Sequence, residues 1–223
     1  MKFKILIFLA ITVFGLNEFS QAQTKVFSEA KGKPFVGRVY DFEKWNFLIG
    51  KQKYEIKNNG QGKRLVGNNR IKRFHFLLEK NEIIEHRIYF AQYKNDLIVI
   101  CETSIFDSGA GFITRLDGKT LKAKWRKDIP AFNVAKGLIE GNSAYLGGIG
   151  FAAKINLENG KYLWKHEDFY RKYREDGAFN VFEVPKIKGN VITYTENQND
   201  YNRPPNIIKF NKNSGKVIEV KIN

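Results

Sequence analysis

The sequence holds a single cysteine, Cys101, so no disulfide can form within the chain. Set in "LIVICET", it reads as a small hydrophobe in a buried strand rather than as a reactive thiol. Long apolar runs are equally scarce. The one near the start, residues 5–16, is twelve residues long, against the roughly 20 that a membrane-spanning helix needs. His75, His86 and His166 are scattered, with no cysteine pair and no His-x-x-x-His spacing, so no metal site is expected. There is no glycine-rich phosphate loop and no dinucleotide fingerprint, and no cofactor is expected. Helical periodicity is confined to "HEDFYRKYRED", residues 166–176. Acids are the minority charge: 23 Asp and Glu stand against 38 Lys and Arg, a formal net charge of +15.

What is present begins with a leader. Lys2 and Lys4 precede the apolar run, and Ser20, Gln21 and Ala22 follow it, the plan of a secretory signal peptide. Residues 1–22 are therefore expected to be removed, leaving 23–223 as a single secreted or periplasmic domain with no transmembrane segment. The positive charge favours anionic partners such as acidic polysaccharide. It is densest in "KQKYEIKNNGQGKRLVGNNRIKR", residues 51–73, where eight bases meet one acid. The preferred reading is a lysine-protected edge strand, with Lys51, Lys53 and Lys57 on one side and Tyr54 and Ile56 on the other. The competing one is an anion patch of Lys63, Arg64, Arg70, Lys72 and Arg73. Nucleic acid is not expected, because most of the Tyr and Phe fall at alternating strand positions and the chain carries an export signal.

The organising feature is a repeat. Sliding "GFAAKINLENGKYLWK", residues 150–165, back 39 positions lays Gly150, Phe151, Lys154, Ile155, Asn156 and Trp164 on Gly111, Phe112, Arg115, Leu116, Asp117 and Trp125. Sliding it forward 55 positions lays Asn156, Gly160 and Lys161 on Asn211, Gly215 and Lys216, but puts Glu219 where the tryptophan stood. Two further apolar runs precede each copy, joined by Lys94-Asn95-Asp96, Gly141-Asn142 or Gly189-Asn190. Such turns between β-rich runs signal hairpins. Each unit thus reads as four antiparallel strands, A to D, over 87–127, 134–166 and 179–222. A degenerate unit occupies 35–66, and 71–86 is surplus, read as an extra hairpin. Four-stranded units at this period stack as propeller blades. The expected fold is all-β, a small or incomplete β-propeller of about four four-stranded antiparallel blades.

"AYLGGIGFAAKINLENGKYLWK" resembles the repeat of pyrroloquinoline-quinone-type (PQQ-like) propellers, a relative in plan of WD40-like repeats, through Asn156 and the Gly160, Lys161, Trp164 pattern. The earlier unit keeps Trp125 but has Leu121-Lys122 in place of Gly-Lys. The resemblance implies the fold, with Trp125 and Trp164 docking one blade on the next. It does not carry over the quinone enzymes' site, since their metal-binding acids and catalytic base have no match here. Non-catalytic exported members are the nearer comparison.

Function is expected at one end of the strands. The A–B and C–D turns are tight, whereas the B–C loops "TSIFDSGAG" and "NQNDYNRPPN" and the D–A connection "HEDFYRKYREDGA" are long and gather at the opposite end. The candidate binding residues are Phe106, Asp107, Phe169, Tyr170, Arg171, Tyr173, Tyr201 and Arg203. "IFDSGAG" resembles an aspartic-protease loop, but such enzymes share a proton between two carboxylates and this motif occurs once. Asp-Ser-Gly is also ordinary turn chemistry. The expectation is an exported, non-catalytic binding or scaffold protein with a protein or polysaccharide partner and open blade edges that allow a homo-oligomer. The alternatives are a secreted hydrolase using loop acids such as Asp107 and Asp200, and an anion-binding surface on 51–73.

Overall fold

The computed structural model describes residues 24–29, 31–32, 45–49, 52–58, 63–67, 73–75, 83–105, 108–131, 133–167, 169, 181–197 and 204–223. Three short strands, β1 (Thr24–Val26), β2 (Ser28–Glu29) and β3 (Lys31–Gly32), hand the N-terminal segment across three different sheets. The first sheet runs β3, β4 (Trp45–Ile49), β5 (Gln52–Asn58), β6 (Lys63–Gly67), β7 (Arg73–His75). The second contains β8 (Ile83–Tyr93), β9 (Asp96–Ile105), β10 (Ser108–Leu116) and β11 (Ala123–Ile129), with β2 added beside β8. The third contains β12 (Leu138–Glu140), β13 (Ser143–Gly148), β14 (Phe151–Asn156) and β15 (Tyr162–His166), with β1 beside β12. The fourth is β16 (Lys186–Lys188), β17 (Val191–Thr195), β18 (Ile207–Asn211) and β19 (Val217–Lys221). Every pairing is antiparallel.

The A–D strand plan appears in the second, third and fourth sheets. Residues 35–40, read as a first strand, lie outside the described residues, and β3 pairs with β4 instead. Of the surplus 71–86, Arg73–His75 pairs with β6, while Ile83 onward runs into β8. The edge-strand reading of 51–57 is corrected: β5 is central, with β4 on one side and β6 on the other. Alternating lysine and apolar residues suit an interior antiparallel strand with one solvated face just as well as an edge.

The C–D turns of the second, third and fourth sheets are built alike, and the sequence shows why. The Asp117, Asn156 and Asn211 side chains each accept a hydrogen bond from the backbone N–H two residues on, at 3.0, 2.8 and 3.0 Å, the Asx-turn geometry. Leu121, Gly160 and Gly215 then take positive φ values of 56°, 69° and 71°. Just before each turn the ladder shifts register, at Arg115/Leu116, Lys154/Ile155 and Lys209/Phe210.

The glycines matter because tryptophans sit on them. A Cβ at Gly160 would lie 2.7 Å from Trp125 Cδ2, and one at Gly215 would lie 2.5 Å from Trp164 Cγ. Each indole N–H also donates to a carbonyl of the turn it covers: Trp125 Nε1 to Leu157 O and Trp164 Nε1 to Lys212 O, both at 3.0 Å. The long cation directly opposite on the neighbouring strand does the same, with Arg115 Nη1 on Leu157 O at 3.0 Å and Lys154 Nζ on Lys212 O at 3.2 Å. One docking device is thus used twice, second sheet onto third and third onto fourth.

Packing follows the docking. Ile98, Ile100 and Ile113 of the second sheet meet Ala144, Leu146 and Ala153 of the third in one core. On its other face, Leu138, Tyr145, Ala152 and Trp164 meet Ile192, Tyr194, Ile208 and Phe210 of the fourth. The third sheet is therefore buried on both sides, as a near-continuous apolar sequence in β13 and β14 requires. Phe27, between β1 and β2, is buried in the first of these cores, its N–H on Gly137 O at 3.1 Å. Cys101 is fully buried in β9.

Candidate functional site

The tight-turn end between the second and third sheets carries a charge network. Asp96, buried, accepts Arg115 Nε at 2.5 Å and Lys124 Nζ at 2.8 Å. Burial opposes its ionisation, but these two cations hold the carboxyl below its ordinary range. Across the interface Glu158 takes Lys94 Nζ, Arg115 Nη1 at 2.7 Å and the Tyr93 hydroxyl at 2.7 Å. Lys94 first, then Arg115 and Tyr93, pull the Glu158 carboxyl down to about 2. Burial and the bond to Glu158 push the Tyr93 hydroxyl up to about 12. All its charges are satisfied within the fold, which makes this a clamp between sheets.

The opposite end is different. Residues 181–184 extend the β16–β17 hairpin: Glu183 N–H donates to Thr195 O and Asn197 N–H to Val181 O, both at 2.8 Å, and Phe182 bridges Glu196. This places 181–184 against the approach to β12, where Ala135 N–H reaches Gly147 O at 2.8 Å, and against β8. Between them lies a cleft of about 360 Å³. Tyr89 and Lys136 line one side, and Phe182, Glu183, Val184 and Asn197 the other. The lining offers a phenol, an ammonium, a carboxylate and an amide beside Phe182 and Val184, polar groups of the kind that orient a ligand. At the base of the adjacent B–C loop, Asn206 N–H donates to Glu196 Oε2 at 3.2 Å, and the buried Asn206 Nδ2 has no hydrogen-bond partner among the described residues.

Of the loop residues singled out in the sequence, Phe106, Asp107, Tyr170, Arg171, Tyr173, Tyr201 and Arg203 lie outside the described residues, as does Asp200. Phe169 is placed, and it points inward. Its ring is 1% exposed, stacked on His166 at 5.4 Å and set 5.7 Å from Phe210. It packs the connection down onto the core between the third and fourth sheets. Of the basic residues, Arg70 and Lys72 lie outside the described set. The register sets Arg64 opposite Lys57 and His75, and Arg73 opposite Val66, so Arg64 and Arg73 share a face of the first sheet that Lys63 does not.

Sequence reasoning did not bring Tyr89, Lys136, Glu183 and Asn197 together. They come from three sheets, and stacking alone makes them neighbours. A usable signal did exist: each lies at the long-loop end of an A strand or at the far end of a B strand. Among the described residues, no group of three His, Cys, Asp or Glu is placed to hold a metal ion, and no helix is long and apolar enough to cross a membrane.

No family profile and no curated protein matches the chain. Among solved structures, it is similar to a europium-containing methanol dehydrogenase, at 13% identity and a TM-score of 0.42, over 59% of this chain and 23% of that one. It is also similar to a quinohemoprotein alcohol dehydrogenase from Pseudomonas putida HK5, at 12% identity and a TM-score of 0.41, over 57% of this chain and 19% of that one. The chain therefore matches about a fifth of the length of each.

Proposed function

We propose that the chain is an exported, non-catalytic binding or scaffold module, an open propeller-like stack of four sheets that engages its partner through the long-loop face. The observation that carries this reading is the cleft at that face, where approaches to the A strands of three sheets converge on Tyr89, Lys136 and Glu183. Glu183 is the one carboxylate among the described lining residues, and acid-pair hydrolysis uses two. This favours binding over hydrolysis. Crosslinking mass spectrometry on the periplasmic or culture fraction tests it, with crosslinks expected at 106–107, 166–176, 181–184 and 198–203. A hydrolytic activity abolished by Asp107→Asn with Asp200→Asn would replace this reading with the enzyme.

A second reading has one observation behind it. Lys57 stands directly opposite Arg64 in the β5–β6 ladder, and like charges so placed destabilise a sheet unless an anion lies over them. Heparin retention that survives neutralising Lys63, Arg64, Arg70, Lys72 and Arg73 would remove it.

A further inference from the structure

Three of the four sheets use the free edge of their first long strand to bind the N-terminal segment: β1 lies on β12, β2 on β8 and β3 on β4. In the fourth sheet the corresponding strand is β16, and it has no such neighbour among the described residues. Lys186 and Lys188 are exposed there, with Ile187 half-buried between them. Gly189 and Asn190 make a two-residue turn, so Lys188 and Val191 form the hydrogen-bonded pair that closes it. Ladder alternation then directs the Ile187 N–H and C=O at the open edge.

A lysine on an edge strand ordinarily guards it against pairing. Here the edge has a direction and a destination as well. Upstream of β16 the chain passes through Pro185 and a bend at Val184 to Glu183 and Phe182, which line the cleft, so the edge leads toward the cleft. Its two faces also differ. Lys186 and Lys188 are paired with Thr193 and Val191 on the outer side of the sheet, whereas Ile187 is paired with the buried Ile192 on the core side. An added strand therefore meets positive charge on one side and apolar surface on the other, residue by alternate residue.

We propose that β16 is an acceptor edge for an extended acidic segment of a partner protein, whose backbone pairs with Ile187. Carboxylates at alternate positions meet Lys186 and Lys188, and the apolar residues between them face the core side and the cleft. This rests on the binding reading of the long-loop face and names the partner's chemistry: backbone pairing supplies affinity and the alternation supplies selectivity.

The test uses the full chain and a fluorescein-labelled peptide of alternating glutamate and valine, followed by anisotropy. Saturable binding is expected, weakened about tenfold by Lys186→Glu with Lys188→Glu, two exposed changes that leave the fold intact. The reversed protein should then prefer a lysine–valine peptide. Ile187→Pro, which removes an outward N–H at a position where an edge strand tolerates proline, should weaken binding as well. Equal affinity of the wild-type and charge-reversed proteins overturns the proposal, as does undiminished binding of a backbone N-methylated peptide. Binding lost with Tyr170→Ala and Tyr201→Ala but untouched by the β16 variants overturns strand addition and leaves the loop-face reading standing. A dimer abolished by Lys186→Glu would give the edge to a second copy of this chain and overturn the acidic partner.

Discussion

The third and fourth sheets share a plan and differ on one face. In the third, Leu138, Tyr145, Ala152, Lys154 and Trp164 form the surface that receives the next sheet, all of them buried. At matching positions the fourth carries Lys186, Thr193, Ile207, Lys209 and Glu219. The tryptophan that would grip a further turn has become an acid, and it pairs at 2.7 Å with the lysine that would have gripped beside it, both partly exposed. Strands β17 and β18 accordingly bury one side and leave the other half-exposed. Ion-paired, threonine-bearing outer faces are how stacked repeats terminate. In the proposed open stack, a repeat unit becomes an end cap by exchanging a few residues on one face while the strands and turns stay as they are.

The contrast can be broken from the interior side first. Trp164→Ala should cost about 3–5 kcal/mol in denaturant unfolding, because it empties the space over Gly215 and removes one of the two donors to Lys212 O. Ile218→Ala, on the exposed strand of the cap, should stay within about 0.5 kcal/mol. Arg115→Met should cost about 3 kcal/mol, since it leaves the buried Asp96 with Lys124 as its one remaining cation. Breaking the cap's own ion pair with Lys209→Met should cost less than about 1 kcal/mol.

Acid sharpens the same contrast. The Glu158 carboxyl sits at about 2 in the folded protein against an ordinary 4.5. A depressed carboxylate stabilises the fold fully above its unfolded value and progressively less as pH falls toward its folded one. The stability difference between wild type and Glu158→Gln should therefore be constant near neutrality, shrink below about 4.5 and vanish near 2. The smallest effect on stability, within about 0.5 kcal/mol, is expected from restoring the lost plug with Glu219→Trp. Combined with Lys186→Leu and Thr193→Tyr, it should produce concentration-dependent association in sedimentation, because the cap would then present a docking face.

The repeat was legible because its determinants are local. Asp117, Asn156 and Asn211 cap their own turns, and Gly160 and Gly215 are small because a tryptophan covers them; spacing alone exposes both facts. The N-terminal strap was not legible. Its strands are two or three residues long, with no alternation to read, and β1 and β2 are defined by edges more than fifty residues away. Phe169 looked like a binding aromatic because it stands in a charged connection, but its N–H on Gly150 O and its stacking on His166 turn it inward. The lysines of β5 suggested an edge because the pattern reports which face is solvated and not how many neighbours a strand has. Tyr89, Lys136 and the Glu183–Asn197 hairpin end were invisible as a group for a different reason: they belong to three sheets, and only the stacking order joins these.

Whether the fourth sheet really ends the stack can be measured by thiol labelling in native buffer, with Cys101 left as a buried internal control. Thr193→Cys, on the cap's outer face, should react at the rate of an accessible thiol, while Ala152→Cys, on the docking face one sheet earlier, should be protected until the protein unfolds. If Thr193→Cys were as protected as Ala152→Cys, another sheet would have to cover that face, and the open, capped stack would be contradicted.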